Sequence, residues 1–130
     1  MTGIGYADAS ALVKLVVDEP GSAAVGRWYL ESDRVLTSVV GIVEMRRACA
    51  RRSYDAARLE AIVRSVDVVA VTSDVAERAG ALRPSELRTL DAIHLATALA
   101  LGADLETFIT YDTRLAAAAQ ALAIRVVSPI

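Results

Sequence analysis

The stretch Ile4-Gly5-Tyr6-Ala7-Asp8, followed by Ala9-Ser10-Ala11-Leu12-Val13-Lys14-Leu15-Val16-Val17, decides the fold. Residues 4–7 read as a short buried strand that ends on an acid. The apolar run 9–17 reads as a helix stopped by Asp18-Glu19-Pro20-Gly21. The alternation then repeats. A helix is predicted over 22–30, with Val25, Trp28 and Tyr29 as its apolar side chains, and a strand over 34–38. Helices follow over 39–52 and 54–66, the second with Leu59, Ile62, Val63 and Val66 at helical spacing. Residues 68–71 make a β-branched strand, and Thr72-Ser73-Asp74 caps a helix over 75–82. After the break at Pro84-Ser85 comes the most apolar helix, 90–101, closed by Gly102. A strand over 106–110, a helix over 112–123 and a last strand over 125–127 complete the chain.

Strands that are apolar runs, alternating with helices, predict an α/β fold. It is a three-layer sandwich with a mainly parallel central sheet of about five strands flanked by helices. The length of 130 residues fits one domain spanning residues 1–130, and 55% apolar residues supply a sizeable core and argue against disorder. No run approaches the roughly 18 apolar residues of a membrane-spanning helix. The start, Met1-Thr2-Gly3-Ile4-Gly5-Tyr6, lacks the pattern of a signal peptide. Cys49 is the single cysteine, which excludes an intrachain disulfide and fits a reducing cytoplasm. With one histidine, His94, no Cys/His or Ser/His/Asp arrangement is in view.

Chemistry is expected at the C-terminal ends of the strands, where open parallel sheets bind ligands. Asp8 follows strand one, and Asp112 follows strand four. Glu44 lies in the first turns of the helix after strand two, and Asp91 opens the very apolar helix. Each has a simpler reading alone: Asp8 and Asp112 as helix caps, Glu44 and Asp91 as complements to a helix dipole. Together they repel unless a hard cation joins them, and oxygen-only ligation suits Mg²⁺ or Mn²⁺. Ser10 and Thr110, each two residues from an acid, are positioned to orient a carboxylate or a water.

The net charge of −2, taken alone, disfavours a nucleic-acid partner. Setting the four acids aside leaves 14 basic against 12 acidic residues, a balance of +2, with thirteen of the basic residues arginine. Arg46, Arg47, Arg51 and Arg52 crowd the helix of Glu44, as RNA-phosphate contacts, a partner contact or a solvated face. His94, three residues after Asp91, reads as a structural histidine at the helix surface before it reads as a proton shuttle. Trp28 and Tyr29 read as core or partner-interface residues.

The segments Tyr6-Ala7-Asp8-Ala9-Ser10-Ala11-Leu12-Val13-Lys14, Glu44, Leu90-Asp91-Ala92-Ile93-His94-Leu95-Ala96-Thr97-Ala98 and Thr110-Tyr111-Asp112-Thr113-Arg114-Leu115 together resemble the PIN-domain ribonucleases. Among these the chain is most similar to the VapC-type toxins of toxin–antitoxin pairs. The resemblance spans nearly the whole chain, with four motif positions in order. It implies a PIN-like fold and an acidic site of Asp8, Glu44, Asp91 and Asp112 supported by Ser10 and Thr110. It also implies Mg²⁺ or Mn²⁺ as cofactor, RNA as substrate, homodimerisation and inhibition by a cognate antitoxin. The implied chemistry is metal-assisted phosphodiester hydrolysis leaving a 5′-phosphate and a 3′-hydroxyl. A PIN-domain processing nuclease without an antitoxin is the nearest alternative. A phosphoacceptor signalling domain fits less well, because Asp8 stands alone and the sole lysine, Lys14, lies in the first helix. A phosphatase of the Asp-x-Asp type lacks its second acid, which is Ser10 here, and no glycine-rich phosphate loop is present.

Overall fold

In the computed structural model, which describes residues 2–130, strands β1 (Thr2–Ala7), β2 (Ser32–Ser38), β3 (Asp67–Val69), β4 (Leu105–Ile109) and β5 (Val126–Val127) form one sheet. Their order is β3-β2-β1-β4-β5, and every pairing is parallel. The chain winds outward from β1 through β2 to β3, then crosses back to lay β4 on the other side of β1. The β1–β4 boundary is therefore the switch point of the sheet, where strand ends part and leave a crevice.

Side chains alternate between two apolar cores, as the period of a strand requires. Ala7, Val35 and Ile109 enter one core, and Tyr6, Leu36 and Phe108 enter the other. The first core is covered by α1 (Ala9–Leu12), α2 (Ser22–Glu31), α3 (Val39–Ala50) and α4 (Ala56–Ser65), through Leu12, Val25, Met45, Cys49 and Leu59 among others. The second is covered by α6 (Thr89–Ala100) and α7 (Thr113–Ala121), through Leu95, Ala98, Leu115 and Ala119. Helix α5 (Ser73–Ala81) packs on α6. The expected three-layer α/β sandwich is thus the observed one. Among the described residues no helix is long and apolar enough to cross a membrane.

The differences from the sequence expectation are local. The predicted helix over 9–17 divides into α1 and a 3₁₀ turn, Val13–Leu15. A regular helix of that length would turn one side to water, and this segment has little to offer it. Leu12, Val13, Leu15, Val16 and Val17 are all buried, and the N–H groups of Val16 and Val17 both close onto the Val13 carbonyl. Strand β3 is shorter than expected, because it is an edge strand paired only with β2. Asp67 anchors it through a 2.9 Å ion pair with Arg34 of β2. Helix α4 starts later than expected, since Asp55 caps it by accepting from the N–H groups of Ala57 and Arg58. Strand β4 ends at Ile109, which leaves Thr110 just past it and Asp112 as the N-cap of α7.

Trp28 settles as a core residue: it packs against the first core, and its indole N–H donates to the Thr107 hydroxyl at 3.1 Å. Its ring lies directly over Gly5, where a Cβ would meet Trp28 Cζ2 at 2.3 Å. Neither a ring wedged between strand and helix nor the strand backbone can yield that much. Gly5→Ala is expected to lower stability by about 1–3 kcal/mol, the usual cost of overpacking. Urea unfolding followed by Trp28 fluorescence checks this; an unchanged midpoint would contradict so close an approach.

Candidate active site

Asp8 sits at the switch point, one residue beyond β1, and its backbone N–H donates to the Ile109 carbonyl of β4. Its carboxylate is 4% exposed. Both oxygens are engaged. Oδ1 accepts from the Ser10 hydroxyl at 2.7 Å and the Ala11 N–H at 3.1 Å, and Oδ2 accepts from the Thr110 hydroxyl at 2.6 Å. The capping reading of Asp8 is therefore correct, and it coexists with a second role. An ordinary N-cap is wet; this one is buried, and burial pushes its carboxyl above the usual carboxylate range despite three donors that oppose the shift.

The two hydroxyls link Asp8 to the end of β4. Ser10 Oγ accepts from the Tyr111 N–H at 2.9 Å, and Thr110 Oγ1 accepts from the Asp112 N–H at 3.1 Å. Asp112 in turn caps α7, with Oδ1 accepting from the N–H groups of Arg114 and Leu115. Its other oxygen has no hydrogen bond among the described residues.

Asp91 lies in the first turn of α6, half-buried, with its carboxylate in no hydrogen bond among the described residues. Its carboxyl is pushed up by burial first and then by the charge of Asp112; His94 and Arg88 oppose this, and Glu44 adds to it. Asp91 thus stands within electrostatic reach of two of the other three acids. Glu44 is in the second turn of α3, one-third exposed, with Oε1 at 2.7 Å from His94 Nε2. Hydrogen bonds thus join Asp8, Ser10, Thr110 and Asp112 at the strand ends, and charge coupling joins Asp91 to Asp112 and Glu44.

His94 is not at the helix surface, as its spacing predicts. It is 2% exposed, with Nδ1 at 2.6 Å from the Tyr6 hydroxyl and Nε2 against Glu44. Tyr6 gave no sequence signal beyond a hydroxyl in an apolar strand. The arginine cluster is partly committed: Arg46 makes a two-point ion pair with Glu60 at 2.7 and 3.1 Å, and Arg52 reaches Glu19 at 3.7 Å. Arg47 and Arg51 are exposed.

A hard divalent cation fits the donor set. Asp91, Asp112 and Glu44 each keep at least one oxygen outside any hydrogen bond of the described residues, and the charges of Asp112 and Glu44 raise the proton affinity of Asp91. As they stand, no three Asp, Glu, His or Cys side chains among the described residues are close enough to hold an ion. Any ion site here would need Asp91, the acid with no hydrogen bond among the described residues, to move toward the others.

The PIN-domain family model matches residues 6–121, which includes all six predicted site residues. Ribonuclease VapC46 of Mycobacterium tuberculosis is 41% identical over 125 residues, covering 95% of this chain and 96% of the relative. Ribonuclease VapC47 of the same species is 35% identical over 116 residues, with 85% of each covered. The fold matches the crystal structure of M. tuberculosis VapC20, a sarcin-ricin-loop-cleaving toxin, with TM-score 0.71 at 22% identity over 88% of this chain and 94% of that one. It also matches a toxin–antitoxin complex from Klebsiella pneumoniae, with TM-score 0.69 at 22% identity over 97% and 98% of the two chains.

The raised Asp8 and Asp91 carboxyls set the sign of a pH effect. The folded chain holds these protons to higher pH than the unfolded chain does. Their contribution to stability is complete below the ordinary carboxylate range and is lost as pH rises through the raised values. Asp91→Asn has no hydrogen bond to lose and removes its share of that loss. Thermal melts in EDTA should therefore show the variant gaining on the parent as pH climbs from about 4 to about 7.5. A difference independent of pH would contradict the electrostatic coupling of Asp91 to Asp112 and Glu44.

Proposed function

This chain belongs to the PIN-domain family, and from that premise we propose that it is the toxin of a type II toxin–antitoxin pair. Its activity is that of an endoribonuclease hydrolysing RNA phosphodiester bonds with Mg²⁺ or Mn²⁺. The observation that carries the reading is the Asp8 carboxylate, buried at the β1/β4 switch point, linked to Asp112 through Thr110, with Asp91 charge-coupled to Asp112 and Glu44. It is supported by a relative 41% identical across nearly the whole chain that is named a ribonuclease.

Asp8, Glu44, Asp91 and Asp112 would hold the cation. When bound, such an ion supplies Lewis acidity, drawing charge from a phosphate oxygen and acidifying water for in-line attack. Ser10 and Thr110 fix the orientation of Asp8, so that its position does not depend on the ion. The half-buried Asp91, whose carboxylate makes no hydrogen bond among the described residues, is the acid free to adjust as RNA approaches. Arg47, Arg51 and Arg88 are exposed cations suited to the RNA backbone.

The proposed partners are RNA, a cognate antitoxin and a second copy of the chain. Partner surfaces are supported by the exposed apolar side chains Val39 and Val43, one turn apart on α3, and by Leu90. The proposed compartment is the cytoplasm, which the single, buried Cys49 fits.

The test is cleavage of end-labelled transfer and ribosomal RNA by the purified chain with Mg²⁺, Mn²⁺ or EDTA. Discrete cuts are expected only with metal. Asp8→Asn and Asp91→Asn should each lose more than about 100-fold in rate, beyond the cost of an outer-shell partner. Metal-independent cutting, or variants as active as the parent, would sink the assignment.

A further inference from the structure

We infer that His94 is a positioning residue: a hydrogen-bonded relay, Ser38–Tyr6–His94–Glu44, aims the Glu44 carboxylate into the acid pocket. The inference rests on the pocket being the carboxylate–cation site proposed above, and it assigns a role to the two buried groups which that chemistry leaves unused.

The hydrogens can be followed along the relay. The Tyr6 hydroxyl oxygen accepts from the Ser38 N–H at 3.1 Å and lies 2.6 Å from His94 Nδ1. The Glu44 carboxylate can only accept, so in the neutral ring Nε2, 2.7 Å from Glu44 Oε1, is the donor and Nδ1, left bare, accepts from the Tyr6 hydroxyl. The imidazole therefore donates to the carboxylate, and the phenol holds this tautomer from behind.

Neither ring in the relay has room to swing. Tyr6 is fully buried, its ring stacked on Phe108 with centroids 5.1 Å apart and planes 16° from parallel. The His94 ring meets Tyr6 edge-on at 77°. On the far side α3 comes in at Gly41, where a Cβ would stand 3.2 Å from His94 Cε1 and 2.3 Å from Thr37 Oγ1. A side chain there would lift the helix that carries Glu44 off the imidazole. Glu44 is a long side chain at a partly exposed position, and the His94 bond is the single hydrogen bond of its carboxylate among the described residues. A histidine with a merely structural role has no need to end on a site acid that would otherwise roam.

Two measurements test this. His94 is the only histidine, so ¹⁵N NMR of the metal-free protein at neutral pH reports its ring without assignment. A hydrogen on Nε2 is expected, and a bare Nε2 overturns the inference. The second is Mn²⁺ affinity, read by electron paramagnetic resonance, for the parent, Tyr6→Phe, His94→Leu, His94→Gln, Glu44→Gln and the double variants. His94→Leu should weaken binding about 10–100-fold and Tyr6→Phe by less, with His94→Gln recovering part through its amide donor. In the Glu44→Gln background the His94→Leu and Tyr6→Phe effects should vanish, because they act through Glu44. If His94→Leu does not fold by circular dichroism, the Tyr6→Phe/Glu44→Gln cycle decides alone. Additive losses with normal parental binding overturn the relay and leave the metal site standing. No Mn²⁺ binding by the folded parent overturns both.

Discussion

A carboxylate taken almost wholly out of water governs this fold's functional end. Desolvation of Asp8 works against its charged form, and three donors held by the ends of β1 and β4 answer that cost only in part. The two hydroxyl donors meet from opposite sides of the switch point because the strands run parallel there, with Gly5, Tyr6 and Ala7 beside Thr107, Phe108 and Ile109 after a register shift at Ile4/Gly5. The remaining imbalance is chemically useful. A site with a desolvated acid at Asp8 and a charge-coupled one at Asp91 would gain more from the proposed divalent cation than from a neutral ligand. Asp91 extends the same imbalance toward solvent, where substrate would arrive.

The alternation of strands and helices was legible because each β-strand here is an apolar run bounded by a cap or a break, and the parallel sheet follows from it. The acids were legible through their placement at strand ends. Their two readings were not alternatives: Asp8 and Asp112 cap α1 and α7 with one oxygen each, and the same capping brings the carboxylates to the pocket. What stayed hidden was pairing at long range. Neither His94 with Tyr6, 88 positions apart, nor His94 with Glu44, 50 apart, leaves a periodic trace. The spacing of His94 from Asp91 located it on the correct helix, and only packing revealed that it faces inward. The commitment of Arg46 to Glu60 was hidden for the same reason, and it removes one cation from the apparent basic cluster.

The 3₁₀ turn after α1 shows a related limit. Periodicity predicts a helix wherever apolar residues recur at the right spacing, but a segment buried on every side has no face to orient. Its geometry is then set by how tightly the chain must turn to reach Asp18 and Pro20, a property of the surrounding layers.

Those layers explain why the strand-end pocket needs internal bracing. Glu44 rides on α3 above one face of the sheet, and Asp91 and His94 ride on α6 above the other. Side chains borne by elements on opposite faces are free to shift against one another unless something spans the sheet edge. The His94–Glu44 contact spans it, Tyr6 ties that contact to the central strand, and the bare Cα of Gly41 lets the two layers close to that distance. Asp8 is fixed to the sheet by its own donors, so the relay brings Glu44 into the same rigid frame. Asp91 is then the one acid whose carboxylate no hydrogen bond of the described residues restrains. The site accordingly has a fixed wall and one adjustable member, Asp91, the freedom that the proposed cation site would use.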